Sequence, residues 1–199
     1  MKQKADKSYN HRIFLNFLYK DFYLNILTSE PNNMTSITFK GTPVNTLASL
    51  PAVGSTANEF QLCATDLSTK TLANFKGETL IISTFPSLET SVCSLSVKQF
   101  NERVANRENT RILCVSRDLP FAQTRFAEQE TIEKITFLSD FKTHQFGKDY
   151  GLEMIDGPLA GLLSRCVIVI DPNGTVLYTE QVPEVADEPN YTAAFDSLQ

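Results

Sequence analysis

Two histidines, His11 and His144, are all that the chain has, and neither stands in a recognisable catalytic or ligand spacing. A Cys–His hydrolase would need one of them in a signature, and a zinc site would need ligand spacing that is absent, so exposed histidines are expected. No Cys-x-x-Cys pair occurs. The four cysteines, at 63, 93, 114 and 166, are too scattered for a disulfide framework, which predicts free thiols in a reducing compartment, the cytoplasm. Lysine and arginine nowhere concentrate and the net charge is −5, so neither nucleic acid nor an anionic membrane is expected as a partner. Long apolar runs are also missing. The nearest, residues 13–27, is broken by Lys20, Asp21 and two asparagines. It is too short and interrupted to span a bilayer, and it lacks the unbroken core and cleavage site of a signal peptide. No internal repeat or low-complexity linker divides residues 34–199, so one domain suffices there.

What is present is the composition of a globular chain, 42% hydrophobic and 21% charged over 199 residues, enough for one well-buried domain. Residues 1–33 differ in character. A basic start (Lys2, Lys4, Lys7) leads into the interrupted apolar run. This stretch is expected to be an N-terminal extension, poorly ordered or absent from the functional protein, with an interfacial helix as the alternative. Residues 36–40 and 44–47 then read as a hairpin ornamenting an edge, 60–65 as a strand, and Leu72 and Phe75 as a brief helical turn. A strand at 79–85, a helix from about 90 to 107 and a strand at 111–116 imply a right-handed parallel crossover. A helix at 118–130 with Pro120 in its first turn follows, then a strand at 136–138 and a helix at 141–150 closed by Gly151. Strands at 166–170 and 176–181 flank the turn Asp171-Pro172-Asn173-Gly174 as a second hairpin, and Pro189 opens a last helix.

The segment Pro86-Ser87-Leu88-Glu89-Thr90-Ser91-Val92-Cys93 joins strand to helix and puts Cys93 in the helix's first turn. Cys93, Val97, Phe100 and Val104, spaced four, three and four apart, share the face that looks to the core. Lys98, Glu102, Arg103 and Arg107 take the wet side. Thr90 stands at the N-cap position, where its hydroxyl can accept the Cys93 amide or reach the sulfur. A helix N-terminus favours a thiolate by about 0.3–1 kcal/mol, and by up to about 2 when partly buried. Bringing an ordinary thiol from about 8.5 to about 6 takes roughly 3.4 kcal/mol. A reactive Cys93 therefore requires a second positive group. A buried cysteine that merely packs is the plain alternative.

Pro-x-x-x-Thr-x-x-Cys at such a junction, met here by Pro86, Thr90 and Cys93, resembles the peroxidatic motif of the peroxiredoxins. Asp118-Leu119-Pro120-Phe121-Ala122-Gln123 followed by Arg125-Phe126, then Asp156-Gly157-Pro158-Leu159 and Gly161-Leu162, look like the bacterial thiol peroxidase branch. The resemblance covers Met34 to the C-terminus. It implies an α/β, thioredoxin-like fold, with a central mixed sheet flanked by helices and an N-terminal β-hairpin, a homodimer, and no metal, flavin or haem. It implies roles as well: Cys93 attacks a hydroperoxide, Thr90 and the family arginine, here Arg165, position the two oxygens and the thiolate, and Pro86 shields the substrate pocket. Arg165 would supply the missing charge. Without the family, an arginine beside an apolar strand either snorkels at the strand end or pairs with a buried anion.

The implied activity is reduction of hydrogen peroxide and organic hydroperoxides to water and alcohols through a Cys93 sulfenic acid, regenerated by thioredoxin or another external thiol. One departure matters. The family's resolving cysteine follows Arg-Phe directly, and here that place holds Ala127. Either an external thiol attacks the sulfenic acid, the preferred reading, or Cys114, Cys63 or Cys166 has taken over. All three sit in apolar strand runs, and Cys166 faces away if its neighbour Arg165 faces the site. Rival enzymes fail on residue identity: a dithiol oxidoreductase needs cysteine at Ser96, and a cysteine phosphatase needs arginine at Gln99. A low-turnover peroxide sensor using the same sulfenic chemistry stays open.

Overall fold

The computed structural model describes residues 34–105 and 107–198, and the expectations for residues 1–33 lie outside them. The strands are β1 (Thr35–Phe39), β2 (Thr42–Thr46), β3 (Gln61–Ala64), β4 (Thr69–Thr71), β5 (Thr79–Thr84), β6 (Thr110–Ser116), β7 (Ile135–Ser139), β8 (Cys166–Ile170) and β9 (Val176–Gln181). The α-helices are α1 (Ser91–Val104), α2 (Pro120–Gln129), α3 (Gln145–Asp149) and α4 (Tyr191–Asp196), with a 3-10 turn at Leu72–Phe75. β3 to β9 form one mixed sheet in the order β4-β3-β7-β6-β5-β8-β9. β5, β6 and β7 run parallel, joined by crossovers through α1 and α2, while β3 and β8 pair antiparallel to β7 and β5.

Strands covered on both faces read as near-continuous apolar runs, which is the pattern of β5, β6 and β8. Alternation then sorts their side chains. Leu80, Ile82, Leu113, Val115, Ile168 and Ile170 pack with Phe60, Phe146 and Tyr150 on one face. Ile81, Ile112, Cys114, Val167 and Val169 pack on the other, beneath Cys93, Val97, Phe100 and Val104 of α1 and Phe195 of α4. The four-three-four spacing of α1 is thus the buried stripe expected of it. Two residues of its wet side, both exposed, also cover aromatic rings: Arg103 lies 5.0 Å from the Tyr191 ring and Arg107 4.9 Å from the Phe195 ring.

Several boundaries differ from the sequence pattern. β4 is three residues long, too short to show a period. The helix expected over 141–150 is confined to α3, because His144 turns left-handed (φ 56) and the Asp140 carboxylate takes the amides of Phe146 and Gly147. Gly151 does follow it at φ +72, and a Cβ there would meet the Ser49 carbonyl at 2.7 Å. α4 is capped by Asn190, whose side chain accepts the Ala193 amide, rather than opened by Pro189.

β1 and β2 form a separate two-stranded sheet turned through Lys40 and Gly41, both at positive φ (52 and 75) as a tight hairpin turn demands. It is more than an ornament. Glu184, between β9 and α4, accepts the amides of Lys40 (2.9 Å), Gly41 (3.0 Å) and Ala186 (3.0 Å) and the Thr38 hydroxyl (2.8 Å). Burial opposes ionisation of this carboxyl, yet the amides of Gly41, Ala186 and Lys40 and the Thr38 hydroxyl together hold it down at about 2. The folded value is depressed, so the contribution is whole above the ordinary carboxylate range and is lost as pH falls towards about 2. Glu184→Gln is expected to cost about 1–2 kcal/mol at pH 7, and urea denaturation should show the difference shrinking between about pH 4.5 and pH 2.

Candidate active site

β5 ends at Thr84, whose hydroxyl donates to the Ser164 carbonyl at 2.8 Å and so ties the strand to the approach of β8. The chain then turns through residues 86–90 around one carboxylate. Asp118, just before α2, accepts the Ser87 hydroxyl (2.7 Å), the Leu88 amide (2.8 Å) and the Ser116 hydroxyl (2.8 Å). Both halves of the sequence motif meet there. The Asp-Leu-Pro-Phe segment, by its aspartate, fixes the loop that carries Pro86 and Thr90.

Thr90 is the N-cap of α1, with extended backbone (φ −101, ψ 142), but its side chain caps no amide. Of the two roles open to it, the structure chooses the sulfur: Thr90 Oγ1 lies 2.7 Å from Cys93 Sγ and 3.1 Å from the Ser87 carbonyl. Cys93 is wholly buried, at 0% exposure. The second group at the sulfur is Arg165, whose Nη2 is 3.3 Å away.

Arg165 reaches Cys93 because of strand parity. It precedes β8 on the side of Val167, the face that α1 covers, while Cys166 packs on the opposite face. Its carbonyl accepts the Val182 amide at 3.0 Å, its Nε donates to the Val185 carbonyl at 3.0 Å, and its Nη1 lies 3.4 Å from Ser96 Oγ. The guanidinium is only 2% exposed, and among the described residues no carboxylate lies within ion-pair distance of it. A buried cation without an anion is costly by several kcal/mol. At Cys93 Sγ two donors converge, Arg165 Nη2 and the Thr90 hydroxyl.

Pro86, Thr90 and Arg165 line one cavity of ≈ 360 Å³ together with Phe39, Leu159, Leu162 and Val185. Its walls are mainly apolar, and Lys40 stands among them. The hairpin of β1 and β2 is therefore one wall, and the Gly157–Leu162 stretch picked out by the sequence is another.

A Redoxin family model matches residues 52–195. The thiol peroxidases of Mycobacterium tuberculosis and Mycobacterium bovis are each 48% identical over 165 residues, covering 83% of this chain and 99% of theirs. The chain belongs to the thiol peroxidases, within the Redoxin family. Among solved structures, a peroxiredoxin-like protein from Aquifex aeolicus matches with a TM-score of 0.78 at 38% identity, covering 84% of this chain and 98% of its own. A thiol peroxidase from Chromobacterium violaceum, at 20% identity, has the same fold, with a TM-score of 0.77 over 82% of this chain and 95% of its own.

In this thiol peroxidase the three other sulfurs are buried as well. Cys166 lies across the sheet from Cys93, and burial pushes its thiol up to about 12 against the pull of the Ser164 and Thr84 hydroxyls. Cys114 shares the α1 face, but burial pushes its thiol far above the ordinary range. Cys63 is on β3, separated from β5 by β7 and β6. Ala127 packs, half-buried, against the α1-side core. Ser96, the Val185 carbonyl and the structural use of Asp118 escape the sequence, since each acts through a partner at least twenty positions away. The i+3 spacing of Ser96 from Cys93 was the one available signal. Asp118→Ala should lower stability by about 2–3 kcal/mol in urea denaturation, because it strands the buried partners of a charged acceptor, and should slow peroxide reduction at saturating reductant.

Proposed function

We propose that Cys93 is the thiol that performs the peroxide reduction of this thiol peroxidase, with Thr90 and Arg165 as the groups that hold the peroxide and the charge. One observation carries the reading: a buried arginine with no carboxylate partner among the described residues points a nitrogen at Cys93 Sγ from 3.3 Å. The thiolate attacks the distal oxygen of the hydroperoxide, the S–O bond forms as the O–O bond breaks, and the electron pair leaves on the second oxygen, which takes a proton from water. Cys93 becomes a sulfenic acid, and water or an alcohol is released. Charge moves from sulfur to the leaving oxygen during this step. The Arg165 nitrogens and the Thr90 hydroxyl, already beside the sulfur, are the donors available to follow it. Pro86 screens the site, and the apolar cavity walls support organic hydroperoxides as substrates beside hydrogen peroxide.

Regeneration uses an external thiol, thioredoxin or a similar reductant. One thiol displaces the sulfenic oxygen as water and leaves a mixed disulfide; a second releases Cys93 and departs as the oxidised reductant. The positions of Cys166 and Cys63, the burial of Cys114 and the alanine at 127 support this cycle. The four free cysteines support a reducing, cytoplasmic setting. No helix among the described residues is long and apolar enough to cross a membrane. A homodimer is supported by Leu119 and Phe121, 50% and 66% exposed in the Asp-Leu-Pro-Phe segment.

Cys93→Ser should abolish peroxide turnover, and Arg165→Ala should reduce it by about 10²–10³. The wild-type chain, treated with one equivalent of an organic hydroperoxide, should lose one thiol by alkylation and intact mass, with a sulfenic acid adduct mapping to Cys93. Loss of two thiols without adduct would overturn the one-cysteine cycle, and retained turnover in Cys93→Ser would overturn the assignment. Phe121→Arg should shift the sedimentation profile from dimer to monomer; an unchanged profile removes this segment from the interface.

A further inference from the structure

Arg165 needs more than a thiolate to keep it in place. Once Cys93 is oxidised to a neutral sulfenic acid, the buried guanidinium has lost its anion, and the donors and acceptors around it must hold it until reduction. One of these is the Val185 carbonyl; the other is Ser96 Oγ, which also lies 3.1 Å from the Tyr191 hydroxyl and 2.9 Å from the Val92 carbonyl. The Tyr191 hydroxyl lies a further 2.8 Å from Glu188 Oε2. We infer that Tyr191 is a positioning residue for the reaction: acting through Ser96, its hydroxyl fixes Arg165 on the Cys93 sulfur and links the guanidinium to the Glu188 carboxylate. The inference rests on the reading of Cys93 as the reacting thiol.

Counting protons gives the link its direction. A guanidinium only donates and an ionised carboxylate only accepts. With the Tyr191 proton on Glu188, Ser96 can place its own proton on the Tyr191 oxygen, so each hydroxyl donates towards Glu188 and turns a lone pair towards Arg165. With the Tyr191 proton on Ser96 instead, the Ser96 proton goes to the Val92 carbonyl, and a lone pair still faces Arg165. Both arrangements keep an acceptor at Nη1, and the shared chain strengthens each bond by polarisation. Burial, helped by the nearby Glu188 charge, pushes the Tyr191 phenol up, so it stays a neutral donor.

The ring is held independently of its hydroxyl. It stacks edge-on to Phe100 at 5.1 Å, and the Arg103 guanidinium covers it at 5.0 Å. Ser96 is 1% exposed and Tyr191 8%, so water does not readily replace either partner. The charged groups facing the chain are Arg165 from the start of β8, Arg103 from α1 and Glu188 from the segment before α4.

The test uses the full chain and reads single-turnover oxidation of Cys93 by hydrogen peroxide, together with the pH profile of Cys93 alkylation. Tyr191→Phe keeps the ring and removes the hydroxyl; its oxidation rate constant should fall about tenfold and its alkylation profile should move to higher pH. Ser96→Ala should do the same or more, with Ser96→Thr recovering rate. The double variant Tyr191→Phe with Ser96→Ala should be no slower than Ser96→Ala alone, because both act through one chain. Glu188→Gln, at an exposed position, should give a smaller change of the same sign. A wild-type rate and unmoved profile in Tyr191→Phe, or a double variant slowed by the product of the two single effects, overturns the inference. Retained turnover in Cys93→Ser instead overturns the underlying reading, so the two failures are separable.

Discussion

A positive charge buried at 2% exposure beside a wholly buried sulfur is the constraint on which the rest of this structure turns. In a dry interior the penalty for leaving a guanidinium without partners is heavy. The fold answers by bringing donors and acceptors from four separated stretches to one place. Thr90 and Ser96 come from the start of α1, Arg165 from the start of β8, the Val185 carbonyl from the loop after β9, and Tyr191 from α4. Displacing any of them by an ångström would leave a charged group short of a partner.

The outer contacts hold that arrangement still. Asp118 gathers the Pro86 to Thr90 loop, and Glu184 gathers the β1–β2 hairpin. Glu184 also fixes the segment whose carbonyl at 185 accepts Arg165 Nε, so the hairpin wall of the cavity and the buried guanidinium share an anchor. Both anchors are carboxylates taking backbone amides. Such bonds are stronger than neutral ones and impose position as well as energy.

Much of this was legible in the chain itself. The four-three-four spacing of Cys93, Val97, Phe100 and Val104 dictated which face of α1 is buried, because helical period is a local property. Alternation in β8 gave the opposite facings of Arg165 and Cys166 once one of them was aimed. Thr90 at the helix start limited its hydroxyl to two local partners. The family motif supplied Arg165, which no spacing rule would have joined to a cysteine 72 positions away. Short or context-held elements were less readable. β4 has too few residues to show a period, and the start of α3 is set by Asp140 and the left-handed His144 rather than by its own hydrophobic pattern.

By itself, then, the sequence determined the elements with strong local periods, the strand-to-helix junction that exposes Cys93 to amide dipoles, and the alanine at 127. It also set the condition that a reactive cysteine there needs a second positive charge, since a helix terminus alone supplies too little energy. Only the tertiary structure decided what meets that charge. The Ser96 and Tyr191 hydroxyls, the Val185 carbonyl and the clamps at Asp118 and Glu184 all depend on where distant segments cross. The physical reason is that burial and hydrogen-bond satisfaction belong to places in the packed molecule, whereas spacing along a chain specifies only its neighbours.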